Sequence, residues 1–209
     1  RGQSTQSVLW GKFRQPGQNL RPGAPVPAVK TDLRALDVAH DAVIWLGHSS
    51  YLVFLAGQRI LIDPVFSEFA APVSSSTRAF EGSTLYTADD VPPIDVLLIT
   101  HDHWDHLDHA TLTALAPKAA RVVVPLGVGA HLEQWQYAPT KIQEIDWFER
   151  VTVDGAIAIH AVPARHYSGR WLTRNKTLWA GFVLESGQRR LLFSGDTVYP
   201  GRLYFQCDR

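Results

Sequence analysis

The sequence is nearly free of sulfur: its 209 residues hold one cysteine, Cys207, and no methionine. A single thiol excludes an internal disulfide framework and any zinc site built from several cysteines. A reducing, cytoplasmic setting fits it best, with Cys207 read as an incidental thiol. Net charge is missing too, because 20 Lys and Arg balance 20 Asp and Glu. That balance argues against a non-specific nucleic-acid binder, which needs a basic face, so no nucleic-acid partner is expected. No apolar run reaches the about 20 residues of a membrane-spanning helix, and the start has no signal-peptide core. The first residue is Arg1 and not Met, so a removed leader remains compatible with the sequence.

What is present divides into an arm and one domain. Residues 1–36 are rich in Gly, Pro, Gln and Arg ("RQPGQNLRPGAPVPAVK") and read as an extended arm over the domain. Residues 37–209 read as one domain with enough apolar content for a core. Its C-terminal part is expected to be missing, because "GDTVYPGRLYFQCDR" closes on no helix or strand.

"AVIWLG", "YLVFLA" and "RILID" are short β-rich runs separated by turn residues, as in an antiparallel meander. Residues 64–94 read as a long loop suited to a lid. "DVLLIT" and "RVVVP" are continuous apolar runs, the mark of strands buried on both faces. Each precedes a short helical pattern, "HATLTALA" and "GVGAHLEQW". "RVTVDGAIAIHAV" predicts a hairpin turning at Asp154-Gly155, and "LWAGFVLESGQRRLLFSGDT" another turning at Ser186-Gly187. The class is α/β with much antiparallel strand.

One segment concentrates the chemistry. "HDHWDHLDH" places four histidines and three aspartates directly after a buried strand. In extended backbone His101, His103 and Asp105 share a face, while His106 is out of phase. A turn there aims His101 and His103 at one point and Asp105 and His106 at a second. Imidazole with carboxylate suits zinc, and also iron or manganese. Asp102 and Asp108 read as solvated or helix-capping, and His109 as the start of a helix. His40, His131 and His160 read as ordinary histidines.

The spacing His101-Xaa-His103-Xaa-Asp105-His106 resembles the signature of the metallo-β-lactamase superfamily. With "WLGHSSYLV", "ILIDPVFS", "VPARHYSGR" and "FSGDT", the chain is similar to the branch holding N-acyl-phosphatidylethanolamine-hydrolysing phospholipase D and the ascorbate-phosphate lactonases, more so to the former. The likeness runs from about Leu9 to Pro200. It implies an αββα sandwich of two mixed sheets with outer helices, the second half incomplete. It further implies that His101, His103 and His166 hold one divalent metal ion, that Asp105 and His106 hold a second, and that Asp196 bridges them. His166 and Asp196 each follow a predicted strand, which lets them converge at one sheet edge. A further histidine that the family supplies beyond the "GDT" segment has no counterpart here.

Two such metals, zinc first with iron or manganese as alternatives, would share a hydroxide nucleophile. Asp105, Asp196 and His48 are the catalytic candidates. His48 would contact substrate or the bridging water, or make a structural hydrogen bond. Asp63 either orients a ligand histidine or forms the turn before Pro64. The loop "RHYSGRWLTRNK" nominates Arg170, Tyr167 and Trp171 for an anionic substrate, with Arg165, Arg174 and Lys176 nearby. The expected reaction is metal-dependent hydrolysis of a phosphodiester or similar anionic ester, small-molecule or lipid, with peripheral membrane contact as an option. A lactonase is the alternative within the superfamily. A non-catalytic metal-binding or membrane-associated protein is the alternative of another class.

Overall fold

The computed structural model describes residues 21–71 and 78–197. Most of the arm, the serines at 74–76 and Cys207 lie outside the described residues. Three antiparallel strands come first: β1 (Ala42–Gly47), β2 (Ser50–Leu55) and β3 (Gln58–Ile62). Ala56 and Gly57, at φ 48° and 77°, make the two-residue turn between β2 and β3. After the irregular segment 63–93 the chain re-enters the sheet in parallel. The strand β4 (Ile94–Leu98) pairs with β3, β5 (Ala119–Pro125) with β4, and β6 (Ile142–Ile145) with β5. Helices α1 (His109–Leu115) and α2 (Gly129–Gln134) lie on the crossovers that parallel pairing requires. The result is a mixed six-stranded sheet in the order β1-β2-β3-β4-β5-β6.

A second sheet, in the order β10-β9-β8-β7, is antiparallel in each described pair. It holds β7 (Arg150–Val153), β8 (Ile157–Val162), β9 (Gly181–Ser186) and β10 (Arg189–Phe193). The β7–β8 turn has the positive φ values expected of it, 47° at Asp154 and 71° at Gly155. Pairing closes at Val153 and Ile157, so Ala156 is also part of the loop. The β9–β10 turn falls one residue later than predicted. Ser186 stays paired with Arg189, and Gly187 at φ 57° opens the loop.

Alternation explains why the inner strands of the first sheet, β2 to β5, are mostly apolar on both faces. Leu52, Phe54, Leu61, Leu97 and Val122 face a core shared with Leu112 and Leu115 of α1 and Leu132 of α2. Val53, Leu55, Ile60, Val96 and Val123 face the second sheet, where Ile157, Ile159, Phe182 and Leu184 meet them. Each such side chain contributes about 1.5–3 kcal/mol on burial. The chain is thus two sheets packed face to face, with helices outside the first. Among the described residues no helix lies in the core on the second sheet's side. Part of the arm belongs to the core: Leu33 is buried, and Thr31 donates its N–H to Tyr86 Oη at 3.1 Å. The irregular segment is anchored by buried Val65, Tyr86 and Val91, and by Lys118 Nζ donating to the carbonyls of Ala88 and Val91.

Candidate metal centre

Five loops leave strand C-terminal ends on one edge of the sandwich. They carry His48 after β1, Asp63 after β3, residues 101–106 after β4, His166 after β8 and Asp196 after β10. Three of these residues have left-handed backbone without being glycine: His48 at φ 42°, Asp63 at 43° and Asp196 at 57°. Such conformations cost about 1 kcal/mol or more each and persist only where the surroundings enforce them. Before Asp196 the chain needs Gly195, at φ 59°. A Cβ there would lie 2.6 Å from Ala180 O and 2.9 Å from Thr100 Cβ.

Asp63 and Thr100 organise the centre. Asp63 Oδ1 accepts the Thr100 N–H at 2.7 Å, and Asp63 Oδ2 accepts the Thr100 hydroxyl at 2.6 Å. That hydroxyl has spent its proton, so it accepts from His101 Nδ1 at 2.9 Å. The His101 proton is thereby fixed on Nδ1 and its lone pair on Nε2. His106 Nδ1 donates to Asp63 Oδ2 at 2.8 Å, which turns its Nε2 the other way. Thr100 also accepts the Ala180 N–H at 2.9 Å, tying the first sheet to the second beside the site.

Nitrogen atoms then converge. His103 Nδ1 lies 2.9 Å from His101 Nε2 and 3.0 Å from His166 Nε2. Three overlapping groups have donor atoms within 4.8 Å of one another: His101, His103 and His166; His48, Asp105 and His106; His101, His106 and Asp196. His48 Nε2 is 3.2 Å from Asp105 Oδ2. His106 Nε2 is 3.2 Å from Asp196 Oδ2 but out of line for a hydrogen bond, so a buried ring nitrogen faces a carboxylate without one. Lone pairs aimed inward, a stranded buried nitrogen and flanking carboxylates are a donor set that fits divalent metal ions.

The electrostatics agree. Burial first, then the charges of His106, His103 and His166, push the His101 pKa down to about 2. Burial also lowers His103 and His166. His106 goes the other way: burial opposes its charge, but Asp63 and Asp196 outweigh it and raise it to about 10. The His106 ring in turn holds Asp196 at about 2. Burial would raise Asp105, yet His48 and His106 keep its carboxyl below the ordinary range. Without metal, an imidazolium on His106 supplies the positive charge these carboxylates demand, and metal binding would displace its proton.

The neighbouring residues divide in two. Tyr167 and Trp171 line an open cavity of about 660 Å³ together with His103, Asp105, His166 and Asp196. Arg170 does not reach it. Its guanidinium is buried, donates to the carbonyls of Asp102 at 3.0 Å and Leu107 at 2.8 Å, and lies 3.7 Å from the centroid of the Trp104 ring. The expectation that Arg170 faces substrate is therefore corrected. It fastens the His166 loop to the 101–106 loop. Asp102 and Asp108 are likewise not solvated, and of the two Asp108 stands at the N-cap of α1. Asp102 is buried and accepts Gly169 N–H at 2.5 Å, and Asp108 accepts the Ser67 hydroxyl at 2.7 Å. Thr100 was not singled out in the sequence, although it sits where strand gives way to motif. His40, His109, His131 and His160 stand apart from the three groups.

A layered α/β sandwich with histidines and aspartates meeting at its strand ends is a metal-binding scaffold. Over residues 58–204 the chain matches the beta-lactamase superfamily domain, and it belongs to that family. It is 41% identical over 182 residues to an uncharacterised protein of Mycobacterium tuberculosis, covering 86% of this chain and 48% of that one. It is 33% identical to N-acyl-phosphatidylethanolamine-hydrolyzing phospholipase D 1 of Caenorhabditis elegans, covering 74% and 46%. The crystal structure of CmlA, a diiron beta-hydroxylase from Streptomyces venezuelae, superposes with a TM-score of 0.57 at 28% identity, covering 77% of this chain and 30% of that one. The chain spans about half the length of these curated relatives. No helix among the described residues is long and apolar enough to cross a membrane.

Proposed function

We propose that this chain carries the metal centre of a binuclear hydrolase acting on a phosphodiester or a similar anionic ester. The observation that carries the reading is the pair of adjoining donor groups, His101-His103-His166 and His48-Asp105-His106, with Asp196 between them. His101, His103 and His166 would hold one ion, and Asp105 and His106 the other, with Asp196 shared. Bound there, divalent metal supplies a water activated near neutral pH and positive charge for the transition state. Zinc suits the donors, and the diiron neighbour makes iron the alternative. Asp63 and Thr100 keep the ligand nitrogens in the right tautomer. His48, half exposed beside Asp105, would contact substrate or the activated water.

A phospholipase D-like substrate draws support from a second cavity of about 460 Å³ that shares His48 and Asp105 with the centre. Trp45, Val65, Ala79 and Phe80 line it and would accept the apolar part of a lipid phosphoester. A lactonase is the second reading, since the same apolar cavity suits a neutral ring substrate. Beside the metal cavity, Trp171 and Leu172 are 73% and 101% exposed, as a residue pair that touches a lipid surface would be.

The full-length protein should contain two metal equivalents per chain and hydrolyse bis(4-nitrophenyl) phosphate. Asp105→Ala should abolish that turnover. One equivalent or fewer, or undiminished activity in the variant, would sink the reading.

A further inference from the structure

Four basic residues surround His166 in the sequence, and the fold gives them different fates. Arg170 is spent on two carbonyls and a tryptophan face. Arg165 and Lys176 are exposed and line neither cavity beside the centre. Arg174 alone of the four borders the cavity that contains His103, Asp105, His166 and Asp196. Its guanidinium lies 4.1 Å from the centroid of the Tyr167 ring. Tyr167 in turn packs edge-on against His103 at 4.5 Å and lies tilted against His166 at 4.9 Å. The cation is thus stacked on the same aromatic ring that walls the metal ligands.

The loop holding Arg174 is braced. Asn175 N–H donates to Ser168 O at 2.9 Å, the Ser168 hydroxyl to Thr177 O at 2.6 Å, and Thr173 N–H to Arg170 O at 3.1 Å. Gly169 permits the crossing: a Cβ there would meet Thr173 O at 2.5 Å and Arg174 Cα at 3.3 Å. A guanidinium that stacks through its face leaves the N–H groups on its edge free for planar, two-pronged contact with anionic oxygens.

Building on the proposed hydrolase reading, we infer that Arg174 is the specificity-determining residue of this centre, binding an anionic, non-reacting oxygen of the substrate. It selects phosphodiesters and other charged esters over neutral ones. The stack on Tyr167 sets its position, so Arg174 contributes mainly to binding and little to the chemical step.

The test uses full-length protein loaded with zinc. Arg174→Gln, Arg174→Lys and, as a control, Lys176→Gln are compared on bis(4-nitrophenyl) phosphate, on neutral 4-nitrophenyl acetate, and in calorimetric titration with inorganic phosphate. Loss of one charge-assisted contact should raise the diester KM about tenfold or more in Arg174→Gln. Its kcat should change far less, and the acetate KM should move much less than the diester KM. Phosphate affinity should fall in parallel. Arg174→Lys should recover part of the loss, and Lys176→Gln should match the parent. Equal shifts for both substrates, no shift, or loss of bound zinc in Arg174→Gln overturns the inference. If the parent hydrolyses neither substrate, the hydrolase reading fails on its own, and phosphate titration still decides: binding lost in Arg174→Gln sustains the role of Arg174. Phosphate binding that is absent from the parent, or unchanged in the variant, ends it.

Discussion

At Thr100 one hydroxyl faces a carboxylate at 2.6 Å and an imidazole at 2.9 Å. Thr100→Val keeps the shape and removes that relay, leaving the His101 tautomer free. Metal affinity should fall about 10–100-fold, measured by competition with a chromophoric chelator, while the circular dichroism spectrum stays unchanged. His101 also sets a pH dependence. The unfolded chain protonates this ring below pH about 6.5, whereas the folded chain keeps it neutral down to about 2. The unfolded state therefore binds the extra proton, and stability drops as pH falls through that window. The contribution of His106 has the opposite sign: complete below about 6.5, it is lost as pH rises through about 10. The urea midpoint of metal-free protein should therefore decline between about pH 6.5 and 5, and His101→Asn should flatten the decline. An identical slope in the variant would contradict the assignment. The convergence of His101, His103, Asp105 and His106 was legible from spacing because a run of histidines after an apolar strand has few other uses. Thr100 was not, since a threonine at a strand end is ordinary until Asp63 is known to face it.

Among the elements, the 101–106 loop and the His166 loop depend on Arg170. Removing its side chain strands the carbonyls of Asp102 and Leu107 and strips the face of Trp104. Arg170→Ala should cost about 2–4 kcal/mol in urea unfolding. Arg170→Lys should not restore it, because an ammonium cannot reproduce the planar fork. In the second sheet Phe182 is fully buried between the sheets, and Phe182→Ala should cost about 3–5 kcal/mol. The apolar runs of β2 to β5 were readable because both faces of those strands are largely covered, whereas β1 leaves Val43 and Trp45 exposed. The strand β6 was not: "IQEI" is four residues long and exposes its middle two. The choice between Arg170 and Arg174 was also beyond the sequence. Both lie within eight residues of His166, and only the course of the loop sends one inward to the carbonyls and the other to the cavity.

On the scale of the whole molecule, the chemistry sits where the two sheets meet. Thr100, Ala180 and Gly195 form the seam, and a methyl group at 195 would force it open. Gly195→Ala should therefore lower stability and metal content together, read by thermal unfolding and metal analysis. The proposed lipid contact has its own check. Trp171→Ala with Leu172→Ala should weaken co-sedimentation with anionic phosphatidylglycerol vesicles, and unchanged binding would remove that role. An α/β class with much antiparallel strand was foreseeable from alternating and continuous apolar runs, whereas the two-sheet sandwich came only from the family resemblance. The left-handed backbone at His48, Asp63 and Asp196 was not, because it is imposed by partners distant in the chain. That same distance has a consequence during synthesis. The 101–106 cluster leaves the ribosome well before Asp196, so the histidines are exposed on a nascent chain long before the carboxylate that faces His106 arrives. On the proposed reading, an ion captured at that stage would lack Asp196 and exchange freely until β10 docks.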